Sequence, residues 1–145
     1  MEIIRGFKTE LDLNHRQRTL CLQHAGCARF AYNWGLARKQ AAFAARKAAA
    51  DPRAVKIPSA IDLHKELNTL KPREFPWMYE SSKAAPQEAL RDLDAAFANF
   101  FAKRAKYPRF KKKSKCIGSF TLTGHIHVGP NWIQLPNLGL SLIHI

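Results

Sequence analysis

The sequence predicts an α+β fold in which a helical bundle is inserted between an N-terminal strand and strands near the C-terminus. Residues 3–13 alternate roughly between apolar and polar side chains, as a half-buried strand does. The middle of the chain has helical periodicity, and the period of two returns in GSFTLTG and HIHVGPNWIQLP, residues 118–136. Because one strand is not stable alone, residues 3–13 are expected to pair with these later strands.

The inserted bundle is predicted to begin with one long helix. Asn14 and Gln17 have the spacing of a capping box, and good helix formers follow to about Ala50. Its buried stripe is predicted from apolar residues at intervals of seven: Leu20, Cys27, Trp34, Ala41 and Ala48. Four basic residues are expected largely outside that stripe: Arg38, Lys39, Arg46 and Lys47.

Two further helices complete the predicted bundle of about three. Ser59 is a candidate N-cap for a short helix that ends at Lys71-Pro72. The third helix is predicted from about Ser82 to Lys106, with leucines and phenylalanines at spacings of three and four. Its bulky aromatic residues are expected to pack against the stripe of the first helix.

The distribution of charge favours a polyanionic partner. The chain of 145 residues has a net charge of +13 and a pI near 10.1. Asp94 is the last acidic residue, so residues 95–145 carry eight Lys and Arg and no carboxylate. These eight cations lie within KRAKYPRFKKKSK, residues 103–115, which we call the basic segment: Lys103, Arg104, Lys106, Arg109, Lys111, Lys112, Lys113 and Lys115.

The basic segment differs from a flexible tail because it contains Tyr107, Pro108 and Phe110. Proline fixes its own φ angle and biases the preceding residue toward an extended path. The two rings can anchor the segment to the core or stack on nucleobases, and anchoring is the favoured alternative. The cations would then face outward and contact phosphates.

Metal binding and catalysis have little support in the sequence. Cys21, His24 and Cys27 spread around a helix instead of converging, and an odd cysteine count with Cys116 predicts free thiols. No phosphate-binding loop or nucleophile motif is present. The N-terminus lacks a signal peptide's apolar core, and no stretch is long and apolar enough to span a membrane, so a cytoplasmic protein without membrane association is expected.

Four ordered motifs resemble the N-terminal part, with its helix-turn-helix/OrfB-type region, of the OrfB/TnpB family of insertion-sequence transposases. They are CARFAYNWGLARKQ from Cys27, PQEALRDLDAAFANFF from Pro86, KYPRFKKK from Lys106 and IQLPNLG from Ile133. Eight residues of these motifs are expected to have a structural role: Phe30, Tyr32, Asn33, Trp34, Phe97, Phe100, Tyr107 and Phe110.

The resemblance implies a fold and a division of the chain. Such proteins are RNA-guided DNA endonucleases related to type V CRISPR effectors, and their first third combines a wedge β-barrel with an inserted helical recognition lobe. The expected divisions are a wedge strand at residues 1–13, the lobe at 14–106, a basic linker and wedge strands at 107–139, and a non-family tail at 140–145. The barrel would be incomplete, because its remaining strands would lie downstream.

The resemblance also implies partners and contacts. Guide RNA and target DNA would be held by their backbones, and a target-adjacent motif would be read near Lys83, Gln87 and Thr123. Gly124 departs from the asparagine that follows this threonine in the family. Magnesium and zinc are expected only in a C-terminal nuclease region, so no cofactor and no catalysis are expected here.

Two alternatives remain open. The chain can be the front part of a complete nuclease whose RuvC-like domain lies downstream. A structural RNA-binding protein of ribosomal type is permitted by the charge and disfavoured by the four motifs.

Overall fold

The computed structural model describes residues 1–115 and 118–144 and has α+β architecture. Three helices form a bundle, and four strands form one antiparallel sheet. The helices are α1 (His15–Ala48), α2 (Ala60–Glu74) and α3 (Ala84–Phe101), with short 3-10 helices at Pro52–Ala54 and Pro76–Glu80. The strands are β1 (Glu10–Asp12), β2 (His127–Val128), β3 (Trp132–Leu135) and β4 (Gly139–His144).

The predicted capping box starts α1. The Asn14 side chain accepts a hydrogen bond from the Gln17 amide at 2.8 Å, and the Gln17 side chain accepts one from the Asn14 amide at 3.0 Å. These reciprocal bonds satisfy two amides that the first helical turn leaves without partners. The prediction of one long helix is confirmed, since α1 continues for 34 residues.

The core lies where the three helices meet at Gly35. A Cβ atom at this position would lie 2.7 Å from Leu90 and 3.0 Å from Leu93, so glycine allows α1 and α3 to approach closely. Leu63 of α2 also lies next to Gly35, 3.4 Å from the same Cβ position, and all three leucines are fully buried. Contacts from Gly35 to Leu90, Lys39 to Asp94 and Phe43 to Phe97 advance in the same direction, so α1 and α3 run parallel and in direct contact. Helix α2 packs against both and runs antiparallel to them, with Ala60 at Asp94 and Glu66 at Arg38.

The stripe predicted at intervals of seven is correct at Cys27 and wrong at its distal end, because Ala41 and Ala48 are exposed. A straight helix with 3.6 residues per turn rotates about 20° over each heptad, so positions seven apart leave the buried face. On α1, the aromatic partner of Phe97 is Phe43, with ring centroids 5.6 Å apart, which lies further along the helix than the Cys27–Trp34 stripe.

Lys39 was expected on the surface but is 6% exposed. Its ammonium group donates to the Pro58 carbonyl at 2.8 Å and pairs with the Asp94 carboxylate at 2.7 Å. The other Asp94 oxygen accepts from the Ala60 amide at 2.8 Å, at the start of α2. One ion pair therefore connects all three helices.

The predicted ends of α2 and α3 require correction. The last turn of α2 passes through Pro72 to Glu74, where the Phe75 amide still bonds to the Lys71 carbonyl at 3.1 Å. Proline removes a single amide near a helix end and is tolerated there. The third helix ends at Phe101 rather than at Lys106, because Lys103 adopts a left-handed conformation with φ of 62°.

The sheet has the strand order β1-β4-β3-β2 and is open, and its assignment to an incomplete wedge barrel stays a prediction. Pairing of the N-terminal strand with a later one is confirmed, with Leu11 opposite Ile143. The strand predicted at residues 3–13 is shorter: β1 comprises Glu10–Asp12, which pairs with Leu142–His144 of β4. Residues 118–124 form no strand, and the segment expected as a tail supplies most of β4.

Gln17 connects the sheet to the bundle. Its side-chain amide donates to the carbonyls of Leu138 at 3.2 Å and Leu140 at 2.8 Å, across the turn into β4. The residue is 7% exposed, so these bonds lie in a largely dry environment. Within the described residues, no helix combines the length and hydropathy that a bilayer span requires.

Candidate nucleic-acid interface

The basic segment begins at the C-terminus of α3 with a fixed turn. The Lys103 amide donates to the Phe100 carbonyl at 3.0 Å, and the Arg104 amide donates to the Asn99 carbonyl at 2.9 Å. These two bonds and the positive φ of Lys103 form a Schellman motif, with lysine at the position that glycine usually occupies. The direction in which the chain leaves α3 is therefore set by hydrogen bonds.

Asn33 then fixes the middle of the basic segment against α1. Its side-chain amide donates to the Lys111 carbonyl at 2.9 Å, and its side-chain oxygen accepts from the Lys111 amide at 2.8 Å. The Lys111 ammonium group lies 4.3 Å from the centroid of the Tyr32 ring, a cation–π distance. Two adjacent residues of α1 therefore hold both the backbone and the side chain of Lys111.

The chain continues back along α1 beyond the basic segment. A Cβ atom at Gly118 would lie 3.2 Å from the Ala25 side chain, and the Phe120 ring packs 5.1 Å from the His24 ring. The contacts at Asn33, Ala25 and His24 follow one another toward the N-terminus of α1. Residues 118–124, which have the period-two pattern, therefore form an irregular segment that packs on α1 instead of on a neighbouring strand.

The two rings of the basic segment have different partners. Tyr107 contacts Phe97 and Phe100 edge-on, with centroids 5.5 and 5.1 Å apart, which is the anchoring alternative. Phe110 is 48% exposed and, among the described residues, contacts no other aromatic ring. Pro108, between them, is buried, so it holds this part of the segment against the bundle.

The cations of the basic segment face solvent with one exception. Lys111 is partly buried under the contacts described above, and the other seven are exposed: Lys103, Arg104, Lys106, Arg109, Lys112, Lys113 and Lys115. Arg104 also donates to the Asn99 side chain at 3.2 Å. The Lys115 amide bonds to the Lys112 carbonyl at 3.0 Å, so a turn gathers the last lysines into one patch.

The remaining aromatic residues of the first motif serve the bundle. Phe30 packs edge-on against Phe75 at 4.8 Å and Trp77 at 5.1 Å, in the loop after α2. The Arg38 guanidinium lies 5.3 Å from the centroid of the Trp34 ring. These contacts position α1, the helix on which Asn33 is carried.

The residues proposed to read a target-adjacent motif lie on different elements. Lys83 is exposed immediately before α3, and Gln87 lies one turn later. Thr123 is exposed on the irregular segment after residue 118. Gln87 shares a groove of about 240 Å³ between α2 and α3 with His64 and Arg91, and the described lining of that groove does not include Lys83 or Thr123.

His64 is the residue of this groove that the sequence patterns did not indicate. Its Nε2 atom is buried and has no hydrogen-bond partner among the described residues. Burial lowers the pKa of His64 below its ordinary value, and the charges of Lys71, Lys83 and Arg91 lower this pKa further. The imidazole therefore favours the neutral form.

The Cys21, His24 and Cys27 side chains do not form a metal site. Nδ1 of the fully buried His24 donates to the Leu20 carbonyl at 2.7 Å, and Nε2 accepts from the Ser82 amide at 3.0 Å. Cys21 and Cys27 are free thiols, and burial raises the pKa of Cys27 to about 11. Cys116 lies outside the described residues, within which no cluster of three His, Cys, Asp or Glu suits a metal ion.

Comparison with known proteins agrees with the motifs. Residues 1–48 match the OrfB_IS605 family model, which is described as a helix-turn-helix domain. In this structure these residues form β1 and the single helix α1.

Two relatives extend the match over most of the chain. A "Putative RNA-guided DNA endonuclease" of Streptomyces pristinaespiralis is 34% identical over 122 residues, which cover 83% of this chain and 29% of that protein. A "Putative RNA-guided DNA endonuclease InsQ" of Escherichia coli (strain K12) is 30% identical over 115 residues, which cover 79% of this chain and 27% of that protein. The chain thus spans under a third of the length of these relatives. From the family match at the N-terminus and these two relatives, the chain belongs to the OrfB/TnpB family of insertion-sequence proteins.

Proposed function

We propose that this chain is the nucleic-acid-binding N-terminal region of a TnpB-like RNA-guided DNA endonuclease, and that its basic segment contacts the sugar–phosphate backbones of guide RNA and target DNA. The main support for this proposal is the pair of hydrogen bonds between the Asn33 side chain and the Lys111 backbone, because these bonds fix the backbone that carries the neighbouring cations. No catalytic step is assigned to these residues. Magnesium and zinc would bind in another region of the longer proteins.

Electrostatics supports the proposal. Each cation that neutralises a phosphate releases condensed counter-ions, so affinity gained in this way depends on charge and falls with salt. The basic segment has seven exposed cations, and no acidic residue follows Asp94 in the sequence. Such contacts set position and orientation and read little sequence.

We assign recognition of the target-adjacent motif in the DNA to the start of α3 and to Thr123. Lys83 and Gln87 lie one helical turn apart there, and Thr123 is an exposed hydroxyl on the segment that runs along α1. Glutamine can form two hydrogen bonds to adenine in the major groove, whereas lysine favours guanine or phosphate. We assign the three residues to one target-adjacent duplex, approached from α3 and from the segment after residue 118.

The proposal is tested by reversing charge at three exposed positions: Arg109→Glu, Lys112→Glu and Lys113→Glu. The matched control reverses three exposed cations elsewhere, Lys47→Glu, Arg53→Glu and Arg73→Glu, and gives the same net charge. Filter binding to RNA and DNA in dilute buffer should show binding lost in the first variant and largely retained in the control. Equal losses in both, with unchanged melting temperatures, would mean that net charge alone is responsible and would contradict the assignment.

A further inference from the structure

Both rings of the basic segment are partly exposed, Tyr107 at 40% and Phe110 at 48%, and Phe110 is the one that the fold does not anchor through ring contacts. The Tyr107 ring is held edge-on by two phenylalanines, whereas no aromatic ring in the described part of the chain contacts Phe110. About half of the Phe110 side chain, 48%, is exposed. A phenylalanine ring at the surface has a hydrophobic cost, since its apolar area remains in water.

The backbone that carries this ring is fixed on both sides. The adjacent Lys111 donates to and accepts from Asn33, and Pro108, two residues earlier, is buried. A ring held in this way loses less conformational freedom on binding than a ring on a flexible tail would lose. Phe110 is therefore preorganised to meet a ligand.

The surroundings of Phe110 define the chemistry of that ligand. Phe110 and Tyr107 line an open groove of about 880 Å³. The other lining residues are Gln40, Pro108, Arg109, Lys111, Lys112 and Lys115. The groove thus combines flat apolar surface with four cations and no acid, which matches a planar base attached to a phosphate backbone.

We infer that this groove binds a single-stranded nucleotide, with an unpaired nucleobase stacked on Phe110 and its flanking phosphates on Arg109 and Lys112. The inference rests on the proposed function and adds a base-dependent contact to backbone binding. A base within a duplex has both faces covered by its neighbours, so this site selects unpaired strands. Aromatic stacking accepts every base, so the contact distinguishes strandedness rather than sequence.

The test compares two probes of equal length, oligo(dT) and an abasic deoxyribose-phosphate polymer, by fluorescence anisotropy with the 145-residue chain. Wild type should bind oligo(dT) at least about fivefold more tightly than the abasic polymer, the lower range for one stacked base. Phe110→Leu should reduce this ratio to about one by weakening oligo(dT) binding alone. Phe110→Trp should keep or increase it.

Two controls show whether the effect of Phe110→Leu comes from lost stacking. One tests whether loss of any exposed ring has the same effect, and the other tests whether the variant still folds. Phe7→Leu removes a phenylalanine that is 89% exposed and lies outside the groove, and it should leave the ratio unchanged. Melting temperatures should show that Phe110→Leu folds as wild type does.

The outcomes also distinguish this inference from the proposed function. If wild type binds both probes equally well, or if Phe110→Leu weakens both equally, stacking is refuted while phosphate binding stands. If wild type binds neither probe nor duplex at low salt, both the inference and the proposed function are refuted.

Discussion

Asn33 and Lys111 are 78 residues apart in sequence and exchange two hydrogen bonds: the Asn33 side-chain Nδ2 donates to the Lys111 carbonyl, and the Lys111 amide donates to the Asn33 Oδ1. This pair aligns the basic segment with α1, as a neighbouring strand would align it in a sheet. Aspartate at this position would lose the donated bond, and leucine would lose both. The pair therefore determines whether the cations lie on an ordered surface or on a loose loop.

Asn33→Ala should weaken nucleic-acid binding several-fold and lower the free energy of unfolding by about 1–2 kcal/mol, because two partly buried hydrogen bonds are lost. The cations remain, so the salt dependence of binding should keep its slope. Anisotropy titrations at several salt concentrations measure the affinity and the slope of its salt dependence. Asn68→Ala, at an exposed site on α2, is the control, and an Asn33→Ala protein with wild-type affinity would show that order in the segment is unimportant.

Gln17→Glu should destabilise the protein by about 1–3 kcal/mol, measured by urea unfolding. Glutamate can still accept from the Asn14 amide and preserve the cap, but it cannot donate to the Leu138 and Leu140 carbonyls. Asn14→Ala removes the cap instead and should cost about 1 kcal/mol. Wild-type stability of Gln17→Glu would mean that the bridge from α1 to β4 contributes nothing.

Gly35→Ala and Gly26→Ala form a matched pair on α1. Alanine favours a helix interior over glycine by up to about 1 kcal/mol at either site. At Gly26 the nearest atom to a new Cβ is 3.6 Å away, so the gain should be realised. At Gly35 the new Cβ would press on buried Leu90, so this variant should be about 1–2 kcal/mol less stable than Gly26→Ala. Equal melting temperatures would contradict the close approach of α1 and α3.

His64 should make stability depend on pH. Its pKa is lower in the folded protein than its ordinary value of 6.5, so the unfolded chain binds more protons between these two pKa values. The free energy of unfolding should therefore fall as pH decreases from about 7 through the lowered pKa. The difference between wild type and His64→Gln, measured by urea unfolding across this range, isolates the effect. A difference that is constant with pH would contradict the burial of the imidazole.

The sequence predicted the elements whose signals are local. The caps at Asn14 and Ser59 need partners only three residues away. Asn14 forms the predicted capping box, and Ser59 is the predicted N-cap and also forms a capping box, with Asp62. The predicted bundle of three helices between one early and several late strands is therefore confirmed.

Long-range contacts could not be predicted in the same way. Gln17 bonds across 121 residues to Leu138, and no local pattern distinguishes that use from its role in the cap. Lys39 appears on the surface by residue type and is buried because Asp94 and the Pro58 carbonyl surround its ammonium group. Phe120 lies in a strand-like pattern but packs on His24, since α1 provides the apolar surface that a neighbouring strand would have provided.

The candidate site was predicted in composition but not in geometry. The spacing of charges and rings indicated the basic segment, and the resemblance drew attention to Asn33. The partner of Asn33 depends on how the basic segment packs against α1. The left-handed turn at Lys103 and the different surroundings of Tyr107 and Phe110 had no signal in the pattern of charges and rings.

The most direct test of the central claim is the salt dependence of duplex DNA binding by the 145-residue chain. If about six cations of the basic segment each neutralise a phosphate, log affinity should fall against log salt with a slope of about −5. The variant with Arg109, Lys112 and Lys113 changed to glutamate should have a slope at least about three units shallower, where its binding is measurable. A wild-type slope near zero, or no detectable binding in dilute buffer, would contradict the claim that this segment is a phosphate-binding surface.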